Sequence, residues 1–180
     1  MQTVEGKLYL YAAIDRTSKF AFVHLGGQAT TRTASDFRDA LFAALPYKLH
    51  TVLTDNGTQF ADIPKSRNGP TARFRGHPFD RACWRHDIEH RLTNPKQPRT
   101  NGEVERMNRT IKEATVKRYH YDSHDQLHRH IGDFVPAYNF ARRLKTISGL
   151  TPYEYICDVW TKEPERFRLN PIHQFPGLNI

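Results

Sequence analysis

Two short apolar runs, Leu8–Ile14 and Phe20–Leu25, stand on either side of the polar segment Asp15–Lys19. Each run is too short for a buried helix and contains aromatic residues, which favours a strand. Two strands around a tight polar turn predict an antiparallel hairpin. A chain that combines such a hairpin with alternating helices and further strands is restricted to the mixed α/β architectures.

The rest of the chain predicts that alternation. A helix is expected to end at Pro46, with Thr33 or Ser35 as its cap. The later predicted elements are a strand at His50–Thr54, a helix at Phe79–His86, a strand at Ile88–Leu92, a helix from Asn101, a helix over His124–Leu144 and another from Thr151. Pro136 is expected to kink or break the helix that contains it. Residues 61–78 show no clear period, and we interpret them as an exposed excursion.

The charge balance favours a polyanionic partner. Lys and Arg number 27 against 19 Asp and Glu, which gives a net charge of +8. A basic surface gains affinity for nucleic acid because each neutralised phosphate releases bound counterions. Ribosomal and membrane-surface proteins can share this composition, so the charge alone does not decide the ligand.

The cysteine content and the hydropathy pattern point to a cytoplasmic protein without a membrane partner. Cys83 and Cys157 lie far apart, which argues against a disulfide framework. No apolar run reaches the roughly 18 residues of a membrane span. The N-terminal sequence also lacks the pattern of a signal peptide. His86 and His90 are near Cys83 in sequence, but His90 is expected in the following strand and no further ligand completes a set, so we expect no zinc.

The most informative segment is Thr51–Phe60, in which a short apolar run ends at Asp55. A strand that ends in an acidic residue places a carboxylate at the rim of a sheet, where α/β folds commonly bind ligands. The alternative is that Asp55, Asn56 and Gly57 only form a turn, since all three residue types favour turns.

A second acidic segment, Asn101–Lys112, predicts a helix with Glu103 and Glu105 in its first turn. Carboxylates are favoured there by the helix dipole, so these residues need not be functional. Because they are two positions apart, Glu103 and Glu105 are expected to point to different faces, and only one of them can readily join a given site.

Together these segments resemble the catalytic core of DDE transposases and retroviral integrases. The resemblance rests on T-D-N-G-x-x-F at the end of a strand and on N-G-x-x-E-R-x-N-R-x-x-K on a helix. Tyr9–Val23 and Asn139–Tyr155 are similar to bacterial insertion-sequence transposases. The resemblance implies a ribonuclease-H-like α/β fold, a mixed sheet with flanking helices, whose first, central strand is largely missing here. It also implies that residues 1–160 form the catalytic core, incomplete at its N-terminus, and 161–180 a C-terminal tail.

By the same resemblance, Asp55 is the second acid of the catalytic triad and Glu105 is the third. Both are then ligands of Mg²⁺ or Mn²⁺, with a two-metal site in the complete core. The residues that the resemblance places against DNA are Arg106, Asn108, Arg109 and Lys112. The implied function is DNA transposition or integration by metal-dependent transfer of a DNA strand to a 3′-hydroxyl. Transposon ends and target DNA are the implied partners, with homo-oligomeric assembly in a bacterial cytoplasm.

The first acid of the triad is expected upstream of Met1. In the family it lies a few residues ahead of a segment similar to Gln2–Lys7, on the preceding strand. Asp15 is the obvious candidate within the chain, but it is expected in the hairpin turn, at the wrong end of its strand. We therefore do not expect Asp15 to be catalytic, and we expect the isolated chain to be inactive and poorly stable.

Two other functions fit the same residues. A ribonuclease-H-like nuclease would use the same acids and metals to hydrolyse a nucleic acid strand. A non-catalytic DNA-binding or regulatory transposase fragment would keep the basic surface and lose catalysis. Transfer to a 3′-hydroxyl rather than to water separates the first alternative from a transposase.

Overall fold

The computed structural model describes residues 1–61, 76–93 and 102–174. The chain divides into two units, the first made of Met1–Gly27, Ala43–Lys48 and Glu103–Ile180, and the second of Gln28–Phe42 and Leu49–Gly102. In chain order the strands and α-helices are β1 (Gln2–Thr3), β2 (Gly6–Lys7), β3 (Tyr9–Ile14), β4 (Ala21–Gly26), α1 (Thr31–Ala44), β5 (Thr51–Thr54), α2 (Pro78–Arg85), β6 (Glu89–Leu92), α3 (Gly102–Ala114), α4 (His124–Phe140) and α5 (Pro152–Lys162). Three short 3-10 helices follow α4 and α5, at Lys145–Ile147, Pro164–Arg166 and Pro171–Gln174.

The predicted hairpin is confirmed in the first unit. β3 and β4 pair antiparallel from Tyr9 opposite Gly26 to Ile14 opposite Ala21. The short strands β1 and β2 form a second antiparallel pair. The polar segment between β3 and β4 is the turn that the sequence indicates.

The hydrophobic core of the first unit joins this hairpin to α3 and α4. Met107 and Ile111 are four positions apart, so both lie on the same face of α3. The buried members of the core are Leu8, Ala21, Leu25, Met107, Ile111, Tyr121, Leu127, Ile131 and Tyr138. This packing leaves the opposite face of α3 exposed.

A buried amide connects α4 to β4. The side chain of Asn139, a residue that is 3% exposed, accepts a hydrogen bond from the N–H of Ala21 through Oδ1 at 2.9 Å. Its Nδ2 donates to the C=O of Ala21 at 2.7 Å. One side chain thus pairs both backbone polar groups of Ala21, as a neighbouring strand would.

Pro136 does not break its helix, and the kink that was the other predicted outcome stays a prediction. α4 runs through Pro136 and ends at Phe140, earlier than the expected Leu144. A proline ring clashes with the carbonyl of the residue four positions earlier, which here is Gly132. Because glycine has no Cβ, its backbone can adjust more readily, and we attribute the tolerance of Pro136 to this.

The second unit contains the parallel pair β5 and β6. Thr51 lies opposite Glu89 and Thr54 lies opposite Leu92, with α2 in the connection, as parallel strands require. The helices α1 and α2 contribute the buried residues Ala34, Phe37, Leu41, Phe79, Ala82 and Cys83. Both predicted strands and the predicted helix between them are therefore confirmed.

Two boundaries in this unit differ from the prediction. α1 begins at Thr31, because the hydroxyl of Thr30, and not that of Thr33 or Ser35, accepts the early N–H of Thr33 at 3.1 Å. α2 begins at Pro78, where the missing N–H of proline costs nothing, so the irregular stretch is shorter than predicted. The remainder of that excursion, 62–75, and residues 94–101 lie outside the described residues.

The strand directions agree with a mixed α/β fold, but the pairs are separate. Within the described ranges the strands form three two-stranded sheets, two antiparallel and one parallel. A single mixed sheet would need a strand bonded to both larger pairs, and no segment that the structure describes supplies it.

Candidate functional site

Asp55 directly follows β5 and is exposed. Its Oδ1 accepts the N–H of Gly57 at 2.9 Å, and the C=O of Gly57 accepts from the N–H groups of Phe60 and Ala61. The segment is therefore a turn, as the alternative interpretation expected. The turn occupies one carboxylate oxygen, and Oδ2 has no hydrogen-bond partner among the described residues, so an exposed carboxylate oxygen remains available to a ligand.

Hydrogen bonds on both sides hold the Asp55 turn against β6. The backbone of Thr93, which follows β6, donates to the C=O of Thr54 at 2.8 Å. Its own C=O accepts from the side-chain amide of Asn56 at 2.9 Å. The residues before and after Asp55 are thus both connected to the neighbouring strand, which restricts the position of the carboxylate between them.

The two glutamates of α3 have different environments, which confirms that they point to different faces. Glu103 forms an ion pair with Lys19 at 2.6 Å, and its second oxygen, Oε2, is buried without a hydrogen-bond partner among the described residues. Glu105 is exposed and has no ion pair with the described residues. Of the two, Glu105 therefore presents the carboxylate that is free to bind an external ligand.

The exposed face of α3 also carries positive charge. Arg109 and Lys112 follow Glu105 by four and seven positions, so the three side chains lie along one face of the helix. Arg106, Arg109 and Lys112 are exposed and form no ion pair with the part of the chain that the structure describes. Asn108 differs, because its Oδ1 is buried and has no hydrogen-bond partner within the ranges that the structure describes. A role of Asn108 in DNA binding stays a prediction.

The predicted catalytic pair is divided between the two units. Asp55 belongs to the second unit and Glu105 to the first. Within the described residues no group of three or more His, Cys, Asp or Glu side chains is placed to hold a metal ion. The chemistry of the two carboxylates nevertheless suits Mg²⁺ or Mn²⁺, because these ions prefer oxygen ligands.

Both carboxylate oxygens of Asp15 accept hydrogen bonds from nearby residues. Its Oδ1 accepts from the N–H of Thr17 at 2.9 Å, and its Oδ2 accepts from the hydroxyls of Ser18 and Tyr47 at 2.7 and 3.0 Å. Burial, followed by the negative charge of Asp15, raises the pKa of Tyr47, which keeps this phenol a donor. Both oxygens of Asp15 are thus used in closing the β3–β4 turn.

Cys83 is buried, and the nearby His86 and His90 both contact other side chains. Burial raises the pKa of the Cys83 thiol to about 11, which disfavours the thiolate that metals require. The ring of His86 packs edge-on against Phe42 at 5.4 Å. His90 lies on β6, as predicted, where it bonds to Thr54 and Asp80. The sequence alone did not predict that His90 bonds to Thr54 and Asp80. The signal that could have revealed these bonds is the position of His90 in a predicted strand that follows the strand before Asp55.

No helix in the described ranges is long and apolar enough to span a membrane.

Two family models match this chain, and both carry the description integrase core domain. One matches residues 1–98 and the other matches residues 86–152. An uncharacterized protein from Caenorhabditis elegans is 30% identical over 109 residues, which is 61% of this chain and 7% of that protein. The ORF3 protein of Spiroplasma virus SpV1-C74, an integrase by name, is 25% identical over 162 residues, which is 86% of this chain and 43% of that protein. The chain therefore spans less than half the length of either relative.

Solved integrase structures share the fold of this chain. The catalytic core domain of BIV integrase has a TM-score of 0.62 and 20% identity, over 87% of this chain and 90% of that one. The HTLV-2 integrase catalytic core domain in complex with magnesium, in a trimeric form, has a TM-score of 0.62 and 19% identity, over 86% and 88%. The simian T-cell lymphotropic virus intasome in complex with the PP2A regulatory subunit B56 gamma has a TM-score of 0.65 and 21% identity, over 82% and 48%. The fold is thus the ribonuclease-H-like α/β fold of integrase catalytic cores.

Proposed function

Because this chain belongs to the integrase core domain family, we propose that it acts in DNA transposition as a polynucleotidyl transferase, joining a 3′-hydroxyl DNA end to a target strand. The observation that carries this proposal is the exposed carboxylate of Asp55, which follows the end of β5 and keeps one oxygen without a partner among the described residues. We propose residues 1–160 as the catalytic core and 161–180 as its tail. DNA ends, target DNA and further copies of the chain are the proposed partners.

Asp55 and Glu105 are the proposed ligands of Mg²⁺ or Mn²⁺. A divalent ion bound by carboxylates would activate the attacking oxygen and stabilise the leaving oxygen of an in-line displacement. The task of the chain is then to hold the two carboxylates. The turn at Gly57 orients Asp55, and the buried face of α3 fixes the helix that presents Glu105. The ion pair with Lys19 occupies Glu103 and leaves this role to Glu105.

Arg106, Arg109 and Lys112 are the proposed phosphate contacts, together with the partly buried Asn108 on the same helix. Exposed cations that form no ion pair with the described residues can neutralise phosphates without first breaking such a pair. Since these residues lie beside Glu105 on α3, they would bring the DNA backbone to the carboxylate.

Replacing both Arg109 and Lys112 with glutamine should weaken DNA binding and reduce its dependence on salt. Each lost phosphate contact lowers the slope of log affinity against log salt by about 0.9, so the double variant should lose nearly 2. Fluorescence anisotropy with a labelled duplex at several salt concentrations measures both quantities. The matched control is Lys162→Gln, which removes a cation already paired with Asp158 at 2.6 Å. An unchanged slope in the double variant would remove these residues from the DNA interface.

The products formed from a labelled DNA end and a circular target in Mg²⁺ or Mn²⁺ distinguish the candidate functions. Covalent joining of the labelled 3′ end to the target supports the transferase. Cleavage that releases ends without joining supports the ribonuclease-H-like nuclease. Salt-dependent binding without either product supports the non-catalytic DNA-binding fragment.

A further inference from the structure

Three hydrogen-bonded side chains lie next to Asp55 in the second unit. His90 on β6 bonds through Nδ1 to Oδ1 of Asp80 on α2, and through Nε2 to Oγ1 of Thr54 at 2.7 Å. The side chain of His90 is 4% exposed, whereas that of Asp80 is 48% exposed. The three residues, which we term the Asp80–His90–Thr54 chain, thus run from the surface to the end of β5.

The inner end of this chain reaches the backbone of Asp55. The hydroxyl of Thr54 donates to the C=O of Asp55 at 3.1 Å. The C=O of Thr54 itself accepts from the N–H of Thr93 at 2.8 Å. Because the peptide groups on both sides of the Asp55 Cα are hydrogen-bonded, the direction in which its carboxylate leaves the strand is restricted.

Aromatic packing holds the middle of the chain. The ring of Phe79 lies 4.9 Å from that of His90, centroid to centroid, and Phe60 meets Phe79 edge-on at 5.3 Å. A buried imidazole with both nitrogens bonded and one face covered has little freedom to rotate. Packing and hydrogen bonds of this kind keep a ligand-binding side chain in one orientation.

The same sequence of hydrogen-bonded groups, a hydroxyl, an imidazole and a carboxylate, occurs in catalytic triads, where the hydroxyl is the nucleophile. A nucleophilic hydroxyl must reach its substrate, but Thr54 is 9% exposed and its hydroxyl already donates to the C=O of Asp55. The exposed group at this point of the fold is the carboxylate of Asp55. These observations favour a positioning role over a nucleophilic one.

We propose that Asp80, His90 and Thr54 are positioning residues that hold the Asp55 carboxylate in the orientation in which it binds a divalent cation. The inference rests on the proposed function, since it concerns the metal-binding carboxylate. It adds residues that do not touch the metal but determine how well Asp55 can bind it.

Mn²⁺ titration followed by NMR tests this proposal without requiring catalysis. The reporter is the amide of Gly57, which donates to Oδ1 of Asp55 and is broadened when paramagnetic Mn²⁺ binds that carboxylate. Thr54→Val keeps the shape of the side chain and removes the hydroxyl, and we expect about tenfold weaker Mn²⁺ binding. Thr54→Ser restores the hydroxyl and should bring the affinity back to within about twofold of the wild type. Thr51→Val is the matched control, because it makes the same change at the exposed start of the same strand.

Asp80→Ala provides a second variant, because Asp80 is half-exposed and its truncation opens no cavity in the core. It should weaken Mn²⁺ binding in the same direction even if Thr54→Val lowers stability. Equal Mn²⁺ affinity in the wild type, Thr54→Val and Asp80→Ala would overturn the positioning role and leave the metal site intact. No broadening of Gly57 in the wild type would instead overturn the metal site, and this inference with it.

Discussion

Asp55→Asn is expected to abolish the Mn²⁺ broadening of the Gly57 amide and to lower any DNA strand transfer that the chain supports about a thousandfold. The substitution keeps the shape of the side chain, and an asparagine Oδ1 can still accept from the N–H of Gly57, as Asp55 does at 2.9 Å. It removes the negative charge that attracts a divalent ion. Metal ions contribute several kcal/mol to such a transition state, and each 1.36 kcal/mol is about tenfold in rate.

The same substitution at Asp87 is the control for this prediction. Asp87 is exposed in the same unit and has a φ of 57°, a conformation that asparagine tolerates well. Asp87→Asn should therefore change neither stability nor metal binding. Retention of Mn²⁺ broadening at Gly57 in Asp55→Asn would show that another group binds the metal.

Glu105→Gln should reduce strand transfer to a similar extent, with Glu113→Gln as its control on the same exposed face of α3. Within the described residues Glu113 makes one long contact of 3.8 Å with Lys117 in solvent, so its loss should be nearly neutral. If Glu103→Gln were the more damaging change, the assignment of Glu105 would be wrong, and the ion pair of Glu103 with Lys19 would have to open during the reaction.

Asn139→Ala is expected to lower the free energy of unfolding of the first unit by about 2–6 kcal/mol. The side chain pairs both the N–H and the C=O of Ala21, and each buried group left unpaired costs about 1–3 kcal/mol. Urea unfolding in a Trp84→Phe background measures this effect, because Trp160 on α5 is then the only tryptophan and reports on the first unit.

Asn170→Ala makes the same truncation at a site where the side chain accepts a single, exposed hydrogen bond from Ile172. Its cost should be within about 0.5 kcal/mol. Equal stability of the two variants would mean that water or a rearranged neighbour replaces the amide of Asn139 at Ala21.

Local patterns in the sequence predicted the regular elements well, because strand and helix periodicity depend on residues a few positions apart. The hairpin of β3 and β4, the strand that ends before Asp55 and the helix that carries Glu105 were all predicted from such patterns. The errors were also local in origin. The start of α1 depends on which of several hydroxyls accepts an N–H, and the sequence pattern does not single out Thr30. The continuity of α4 depends on the combination of Pro136 with Gly132.

The interactions that hold the site could not be predicted in this way, because they join distant positions. His90 contacts Thr54 across 36 positions and Asp80 across 10, and only the parallel register of β5 and β6 brings them together. The motif around Asp55 predicted a carboxylate at the end of a strand but not the hydrogen bonds that orient it. The pairing of Asn139 with Ala21 lies outside any local pattern for the same reason.

The bond between Asn139 and Ala21 has a consequence for the order of folding. The two residues are 118 positions apart, whereas the hairpin of β3 and β4 is a local structure. Local contacts form early, and distant ones form only after a large loop has closed. During synthesis on the ribosome the hairpin can therefore assemble long before α4 emerges. Until then the outer edge of β4 at Ala21 carries unpaired backbone groups, so a nascent chain arrested before α4 would expose a strand edge that invites aggregation.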